Sequence, residues 1–412
     1  MPIATGVFKK LSFKKQTALN AKAPAGAGGT AQYLRRVTST VDLTKASYQS
    51  AEILDSQQRR DMRHGVRSVA GAISGELSVG TWQKPFESLL RQVVQAAATS
   101  GAILTVTSAS TVGAAGTYTR SAGSFLSDGF KIGDIVNWVG WTTTGVPNNN
   151  HWALITALSA TVMTVLNLDG VAVGAKAAGD SVTCTIVGKK TWIPATAQSR
   201  DYYTIEHWFS DIAQSEQFTD CVFTGATIAL PPTGMATIQL PVLGLDMQTG
   251  VTEYFTTPAA SSSGAILAAV NGVLLINGAV AATVTGATIT INGNYSAPGG
   301  VVGSNVDPDI FPGPIDVTGQ ITVLFQNGVF RDLFLNETES SLTVVLEANN
   351  TATPAFTAFT ISRMKYSGAT KDDGTAGLTL TLPFTALENV VTGGAALANL
   401  QTTISIQDSA FV

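Results

Sequence analysis

Residues 65–100 read GVRSVAGAISGELSVGTWQKPFESLLRQVVQAAATS, and their periodicity changes once along this stretch. From Val69 to Val79, apolar residues or glycine at odd positions alternate with small or polar residues at even positions. Because side chains alternate across a strand, this pattern predicts a strand with one apolar face. The next residues, 84–98, have apolar side chains at helical spacing, which predicts an amphipathic helix. Its apolar stripe would comprise Phe86, Leu89, Leu90, Val93, Val94 and Ala97.

The predicted strand is unusually long. At about 3.3 Å per residue it would span roughly 35 Å, whereas a common strand has about 5–6 residues. The core of one small domain would not cover a strand of this length. Any proposed function therefore has to explain why the strand is so long.

The composition favours a β-rich protein that buries surface in partners. Only 13% of the 412 residues are charged, against roughly 25% in typical soluble domains, and the mean hydropathy is +0.23. Such an apolar chain favours an obligate oligomer over a monomer. The later segments are rich in Thr, Ser, Gly and Val, and this composition is typical of strands and turns.

The charges are distributed unevenly. Residues 1–91 contain 14 Lys/Arg and 6 Asp/Glu, whereas residues 92–412 contain 10 and 22. A basic first quarter can indicate nucleic-acid binding. The basic residues are not interleaved with aromatic side chains, however, so we favour opposite charges that meet between neighbouring subunits.

The organisation of the chain follows from shifts in composition. Residues 1–31 include a Gly/Ala tract and predict an extended arm. A main β domain would comprise 32–100 and 191–412, with a long polar interaction loop at 44–64. Residues 101–190 contain five short alternating runs, which predict an inserted small β-barrel or sandwich.

The remaining pattern is mainly antiparallel β. Val222–Leu230 and Ala236–Val242 alternate well and flank a Pro-Pro-Thr-Gly turn, which predicts a hairpin. The apolar stretch 264–291 is broken by Asn-Gly pairs, so we expect turns rather than a membrane helix there. The N-terminus has no apolar run typical of a signal peptide.

Chemical motifs are weak throughout. The three histidines show no metal-ligand spacing, and we expect no metal, no cofactor and no enzymatic activity. Asp307-Pro308-Asp309 and Asp372-Asp373 could bind calcium or form a catalytic carboxylate pair, although acidic turns are the simpler interpretation. Cys184 and Cys221 are expected to be buried free thiols. The glycine-rich residues 26–30 lack the Lys-Ser/Thr of a phosphate loop.

Several motifs, taken in order, resemble tail tube proteins of long-tailed bacteriophages. They are Ser74-Gly75-Glu76-Leu77, residues 123–134 (GSFLSDGFKIGD), 203–208 (YTIEHW), 217–221 (QFTDC), 226–237 (ATIALPPTGMAT) and 243–246 (LGLD). The likeness continues through Asn292-Gly293, Phe311-Pro312-Gly313 and Val317-Thr318-Gly319, so it covers most of the chain.

This resemblance implies a β-sandwich with one flanking helix, assembled as stacked hexameric rings into a hollow tail tube. Strands of the subunits would close a β-barrel around a lumen through which phage DNA passes without sequence-specific binding. The implied partners are further copies of the chain, a tape measure protein in the lumen, and tail terminator and distal tail proteins at the ends. The protein would be assembled in the bacterial cytoplasm and reside in the virion tail.

Two sets of residues are assigned provisional roles on this basis. The lumen-facing candidates are Ala70, Ala72, Ser74, Glu76 and Ser78. The candidates for contacts between rings are Lys9, Lys10, Lys14, Lys15, Arg59, Arg60 and Arg63. We expect 101–190 to decorate the outside of the tube. The alternatives are a secreted carbohydrate-binding or adhesin β-protein and a polysaccharide-degrading enzyme.

Overall fold

The computed structural model describes residues 3–25, 31–142, 148–281, 283–373, 377–389 and 398–412. These residues form a mainly β protein with antiparallel strand pairing, as the sequence predicts. The elements in chain order are β1 Lys9–Lys15, β2 Gln32–Tyr33, β3 Thr38–Ser39, β4 Asp42–Gln49, β5 Met62–Glu76, α1 Gln83–Leu89, β6 Val106–Ser110, β7 Ala115–Arg120, β8 Ile135–Val139, β9 Trp152–Leu158, β10 Val162–Asn167, β11 Thr183–Ile186, β12 Lys189–Trp192, β13 Tyr203–Phe209, β14 Gln214–Phe223, β15 Gly225–Leu230, β16 Thr237–Gly244, β17 Asp246–Gly250, β18 Gly272–Ile276, β19 Ala279–Val280, β20 Val284–Asn292, β21 Asp316–Leu324, α2 Val329–Leu335, β22 Ser340–Glu347, β23 Phe356–Tyr366, β24 Thr370–Lys371, β25 Thr379–Ala386 and β26 Ser405–Asp408.

Two groups of strands each form a sandwich. In the first sandwich, the back sheet has the order β2–β1–β13–β14–β17. In the second sandwich, the back sheet has the order β19–β18–β22–β23–β26–β12. The front strands of the first sandwich are β3, β4, β5, β16 and β15, and those of the second are β20, β21, β25 and β24.

The front strands of both sandwiches form one continuous sheet, because β15 pairs with β20. Its order is β4–β5–β16–β15–β20–β21–β25–β24, with β3 continuing the line of β4 along β5. We call it the eight-stranded sheet. One face packs on the core through buried aliphatic and aromatic side chains, including Val69, Ile228, Leu240, Ile289, Ile321 and Leu382. The described strands do not close into a barrel within one subunit.

Strand β5 contains the alternation that the sequence indicates, and it begins earlier than predicted, at Met62. Val69 and Ile73 are buried in the core, and Leu77 and Val79 continue the apolar set beyond the end of the strand at Glu76. The burial of one face and the polarity of the other set the register of this strand against its neighbours.

The helix that follows β5 is shorter than the predicted 84–98, because α1 ends at Leu89. Arg91 has a positive φ of 57° and leaves the helical conformation. Its guanidinium donates to the carbonyl oxygens of Gly293 at 3.3 Å and Gly313 at 2.7 Å. These distant acceptors hold the residue where the helix ends. The prediction was therefore wrong beyond Leu89, and a second helix, α2, was not predicted at all.

The predicted interaction loop at 44–64 includes the outer ends of two paired strands. Strand β4 runs to Gln49 and β5 starts at Met62, so residues 50–61 form the loop of a long β-hairpin. We call residues 44–64 the hairpin arm. Tyr48 packs over Gly65, where an added Cβ would lie 2.2 Å from its ring. Such cover of a strand glycine by an aromatic side chain stabilises the pairing.

The N-terminal segment is only partly the extended arm that was predicted. Residues 9–15 form β1, which pairs with β13 in the back sheet. Leu11 and Phe13 are both buried in the core. This part of the chain is therefore integral to the first sandwich, while residues 26–30 of the Gly/Ala tract lie outside the described residues.

Residues 106–186 contain a separate six-stranded sheet of order β11–β8–β9–β10–β7–β6. It has its own core, in which Tyr118 stacks on Trp138 with ring centroids 4.5 Å apart. The alternating runs of the sequence predict five of these strands, and β7 was not predicted because its residues AGTYTR are small or polar. Strand β12 belongs to the back sheet of the second sandwich rather than to this one.

At two glycines of the eight-stranded sheet, the backbone of the neighbouring strand occupies the space that a Cβ would need. An added Cβ at Gly71 would lie 2.4 Å from the carbonyl oxygen of Thr40. At Gly319 it would lie 2.2 Å from the carbonyl oxygen of Thr288. Both obstacles are backbone atoms, which cannot move without disturbing the strand pairing.

We predict that Gly71→Ala and Gly319→Ala each lower the free energy of unfolding by about 1–3 kcal/mol. The added methyl would clash with the backbone of the neighbouring strand. Chemical denaturation followed by tryptophan fluorescence measures the loss. Gly6→Ala is the matched control, since nothing lies within 4 Å of its added Cβ. Unchanged midpoints for the first two variants would contradict this explanation.

Candidate assembly surfaces

The face of the eight-stranded sheet that points away from the core consists mainly of small or uncharged side chains. We call it the outer face. Ser74 lies opposite Gln239, which lies opposite Thr227, and the row continues across the junction to Thr290 and Thr318. Further members are Ala70, Ala72, Glu76, Ala229, Thr237, Pro241, Thr288, Gln320, Thr322, Thr381, Pro383 and Thr385. The sequence pattern predicts only the part of this face that lies on β5.

Lysine and arginine are absent from the segments that make up the outer face, whereas Lys45, Arg63, Arg67 and Lys371 lie elsewhere on β4, β5 and β24. The segments 38–44, 68–76, 225–230, 237–244, 284–292, 316–324 and 379–386 contain no Lys or Arg. Their carboxylates are those of Asp42, Glu76 and Asp316. The surface is therefore neutral to weakly negative, and a polyanion would find no cations here to bind.

Four of the five lumen candidates lie on the outer face, and Ser78 does not. Ala70 is exposed, and Ala72, Ser74 and Glu76 are partly exposed. Ser78 follows the end of β5 and is buried, and its hydroxyl lies 2.7 Å from Thr81 Oγ1. The alternation ends with the strand, so its inclusion in the exposed face was wrong.

The three arginine candidates lie together on the exposed hairpin arm. Arg59 donates to the carbonyl oxygen of Ser50 at 3.2 Å, and Arg63 pairs with Asp61 at 2.9 Å. Arg60 lies 3.7 Å from a carboxylate oxygen of Glu52. Isolated surface pairs of this kind contribute little to stability. The arm also exposes Tyr48, Ile53 and Met62, and Ile53 is fully exposed.

The four lysine candidates lie elsewhere, on β1 of the back sheet. Lys9 donates to the carbonyl oxygen of Ser39 at 3.1 Å, and Lys15 pairs with Asp201 at 2.8 Å. Lys10 lies 3.8 Å from Glu253.

Lys14 differs from the other three lysines because it is buried. Its ammonium donates to the carbonyl oxygen of Pro24 at 3.2 Å. An ammonium held inside the subunit does not reach another ring, so Lys14 is unsuited to the role that the sequence suggested.

The two outermost strands of the eight-stranded sheet each leave one edge unpaired. Among the described residues, β4 pairs only with β5, and β24 pairs only with β25. Thr370 and Lys371 of β24 are exposed, as is nearly all of β4. Unpaired edges of this kind are templates for pairing with another chain.

The six-stranded sheet of 106–186 is fixed to the back of the second sandwich. Lys190 of β12 forms a buried ion pair with Asp134 at 2.8 and 2.9 Å. The side-chain amide of Gln407 in β26 bonds to the backbone N–H and carbonyl oxygen of Ile135, each at 2.9 Å. Nearby, burial raises the pKa of the Glu347 carboxyl to about 8. The attachment lies on the side opposite the outer face.

Of the acidic pair Asp307 and Asp309, only Asp309 has hydrogen-bond partners for its side chain among the described residues, whereas the buried Oδ1 of Asp307 has none. Asp309 accepts hydrogen bonds from Arg200 and from the Tyr202 hydroxyl, both at 2.7 Å. Within the described ranges, no group of three or more His, Cys, Asp or Glu side chains could hold a metal ion. Cys184 and Cys221 are buried and free, as expected. No helix in the described part of the chain is long and apolar enough to span a membrane.

A family model described as phage tail tube protein matches residues 9–386, which is nearly the whole chain. No curated protein matches the sequence. The match covers the whole eight-stranded sheet and the sheet of 106–186, and β26 of the second sandwich lies beyond it.

Proposed function

Because the chain belongs to the phage tail tube protein family, we propose that its eight-stranded sheet forms part of the wall of a hollow tail tube. The outer face would line the bore through which phage DNA passes to the host. The back sheets and α1 would brace this wall from outside. The observation that favours this role is the neutral to acidic outer face, which extends over both sandwiches.

The physical reason lies in the charge of DNA. A wall with lysine and arginine would release counterions from DNA and bind it, which would oppose passage. The outer face offers hydroxyls, amides and methyls, with the carboxylates of Asp42, Glu76 and Asp316. A duplex would therefore slide along the wall instead of adhering to it. A tape measure protein would occupy the same bore before DNA enters.

Closure of the wall explains the open edges of the sheet. The outer edges of β4 and β24 are open in the single chain, and strands of other chains would complete the sheet there. We propose rings in which six sandwiches surround the bore, whereas the resemblance implied six subunits in each ring. Tail terminator and distal tail proteins would bind the two ends of the tube, which would be assembled in the bacterial cytoplasm.

Stacking of the rings is assigned to the hairpin arm. It presents Arg59, Arg60 and Arg63 beside the exposed apolar side chains of Tyr48 and Ile53. Such a mixture of arginine, aromatic and aliphatic groups is typical of protein interfaces. Lys9, Lys10 and Lys15 remain further candidates for contacts with acidic surfaces of the next ring. Head-to-tail contacts of this kind generate filaments.

The six-stranded sheet of 106–186 would decorate the outside of the tube. It is attached to β12 and β26 of a back sheet, through Lys190 and Gln407. This attachment is on the side of the sandwich that faces away from the proposed bore.

We predict that two lysines on the outer face convert the bore into a DNA-binding surface. Gln239→Lys and Gln320→Lys replace exposed side chains of similar length. Tubes assembled from the double variant should retain short DNA duplexes in co-sedimentation, with retention that falls as salt increases. Wild-type tubes should retain little.

The matched control introduces two lysines in the sheet of 106–186 instead. Its substitutions are Thr107→Lys and Ala109→Lys, at two exposed positions of β6. Within phage, only the outer-face variant should slow DNA release. If its tubes behaved like wild-type tubes toward DNA, Gln239 and Gln320 would not face the bore.

We predict that removal of the arm tip separates ring formation from stacking. Replacing residues 51–60 by Asn-Gly keeps a two-residue hairpin turn and leaves the body of β5 intact. Subunits should remain folded, while electron microscopy should reveal single rings or short stacks. A larger N-terminal deletion is less suitable, because β1 contributes Leu11 and Phe13 to the core.

A control for this experiment is Ile53→Ser, which removes one exposed apolar side chain from the tip. It should shorten tubes less than the deletion does. Long, regular tubes from the deletion variant would contradict the assignment of stacking to the arm.

A further inference from the structure

The two sandwiches are built on the same plan. The pairing of β1 with β13 recurs as β18 with β22, and that of β13 with β14 recurs as β22 with β23. On the front, β5 with β16 recurs as β21 with β25. Strand β14 pairs with both β16 and β17, just as β23 pairs with both β25 and β26. Each helix follows the corresponding front strand and contacts β14 or β23.

The correspondence extends to irregularities. The pairing of β13 with β14 shifts register between Tyr203 and Ile205, near the start of β13. The pairing of β22 with β23 shifts between Ser340 and Leu342, near the start of β22. Matching bulges at matching positions are not required by the sandwich architecture. They indicate two copies of one unit within the chain.

Short sequence identities support the same alignment. Strand β5 contains Val69-x-Gly71-x-Ile73, and β21 contains Val317-x-Gly319-x-Ile321. Strand β16 begins Thr-x-x-Leu-Pro at Thr237, and β25 begins Thr-x-x-Leu-Pro at Thr379. Gly71 and Gly319 also face equivalent obstacles, the carbonyl oxygens of Thr40 and Thr288.

The junction between the copies shows how one sandwich binds the next. Strand β15 is the last front strand of the first sandwich, and it pairs with β20, the first front strand of the second. In the alignment, β24 occupies the place of β15, and β3 with the start of β4 occupies the place of β20. These are the two strands with unpaired edges. One chain therefore has the two strands needed for a second junction of this kind, at opposite ends of its eight-stranded sheet.

We infer that β24 of one chain pairs with β3 and β4 of a second copy of this chain, in the register of the internal junction. Inside the chain, Thr227 lies opposite Thr290. Thr370 takes the place of Thr227, because it pairs with the third residue of β25 as Thr227 pairs with the third residue of β16.

The register on the other strand follows in the same way. Val69 and Val317 are equivalent, so Ala70 is equivalent to Thr318. Asp42 pairs with Ala70 and Thr290 pairs with Thr318, and Asp42 therefore takes the place of Thr290. Thr370 therefore lies opposite the partner subunit's Asp42. Lys371 lies opposite the partner subunit's Val41.

Both edges are accessible to a second chain. Thr370, Lys371 and Asp42 are all exposed in the single chain. Addition of a strand to an open edge supplies backbone hydrogen bonds along the whole contact.

The number of chains in a ring follows from the duplication, and it rests on the proposed function. If six sandwiches surround the bore, three chains supply them, because each chain contains two. The sheet of 106–186 lies between α1 and β13 of the first sandwich, whereas α2 and β22 of the second are joined directly. The insert would therefore decorate every second sandwich around the tube.

A disulfide between chains tests the seam. We place cysteines at Asp42→Cys and Thr370→Cys in the full-length chain, whose native cysteines are buried. Directly opposite strand residues lie within the distance that a disulfide requires. Mild oxidation of assembled rings should give, in denaturing gels without reductant, a ladder that ends at three chains. Mixing the two single variants should give cross-linked dimers.

The control is Asp42→Cys with Thr385→Cys, because Thr385 is also exposed but belongs to β25 at a distance from the edge. It should not cross-link beyond background. Tubes that form without a 42–370 cross-link would overturn the seam and leave the proposed function intact. A ladder that ends at six chains would overturn the count of three. Cross-linked rings that never stack would support the seam and contradict the proposed tube.

Discussion

The hydrogen-bonded junction between β15 and β20 is the interaction on which the rest of the architecture depends. It joins two sandwiches through their front strands, and it converts two small sheets into one broad surface. Among the described residues, every front strand pairs on both sides except β3, β4 and β24, so the sheet has an unpaired edge at each end. A surface with two complementary open edges is suited to closure through copies of itself.

The strict alternation along the front strands has a second consequence. Val69, Ile289 and Leu382 face the core, and their neighbours in sequence form the outer face. The same period of two that builds the core therefore determines the chemistry of the opposite surface. The threonines there favour strand structure, and none of the threonine, serine, alanine and glutamine side chains carries a positive charge. The alternation can thus stabilise the fold and allow a polyanion to pass, because the apolar side chains lie on the inner face of the sheet and the uncharged polar ones on the outer face.

The sequence predicted those features that local periodicity determines. The alternation of β5, the hairpin of β15 and β16 and most strands of the insert follow from patterns within a few residues. The end of α1 could not be predicted, because the acceptors that hold Arg91 are Gly293 and Gly313, far along the chain. The polar composition of 44–64 concealed a hairpin whose strands pair without a buried face. The duplication was missed since the copies share few identical residues.

Electron microscopy of tubes assembled from the purified full-length protein tests the central claim most directly. We expect a reconstruction in which eight-stranded sheets join edge to edge around the bore, with the rows of Ser74, Gln239 and Thr290 facing the lumen. Three copies of the 106–186 sheet should project from each ring. A wall built from the back sheets, with the outer face buried against another subunit, would contradict the account.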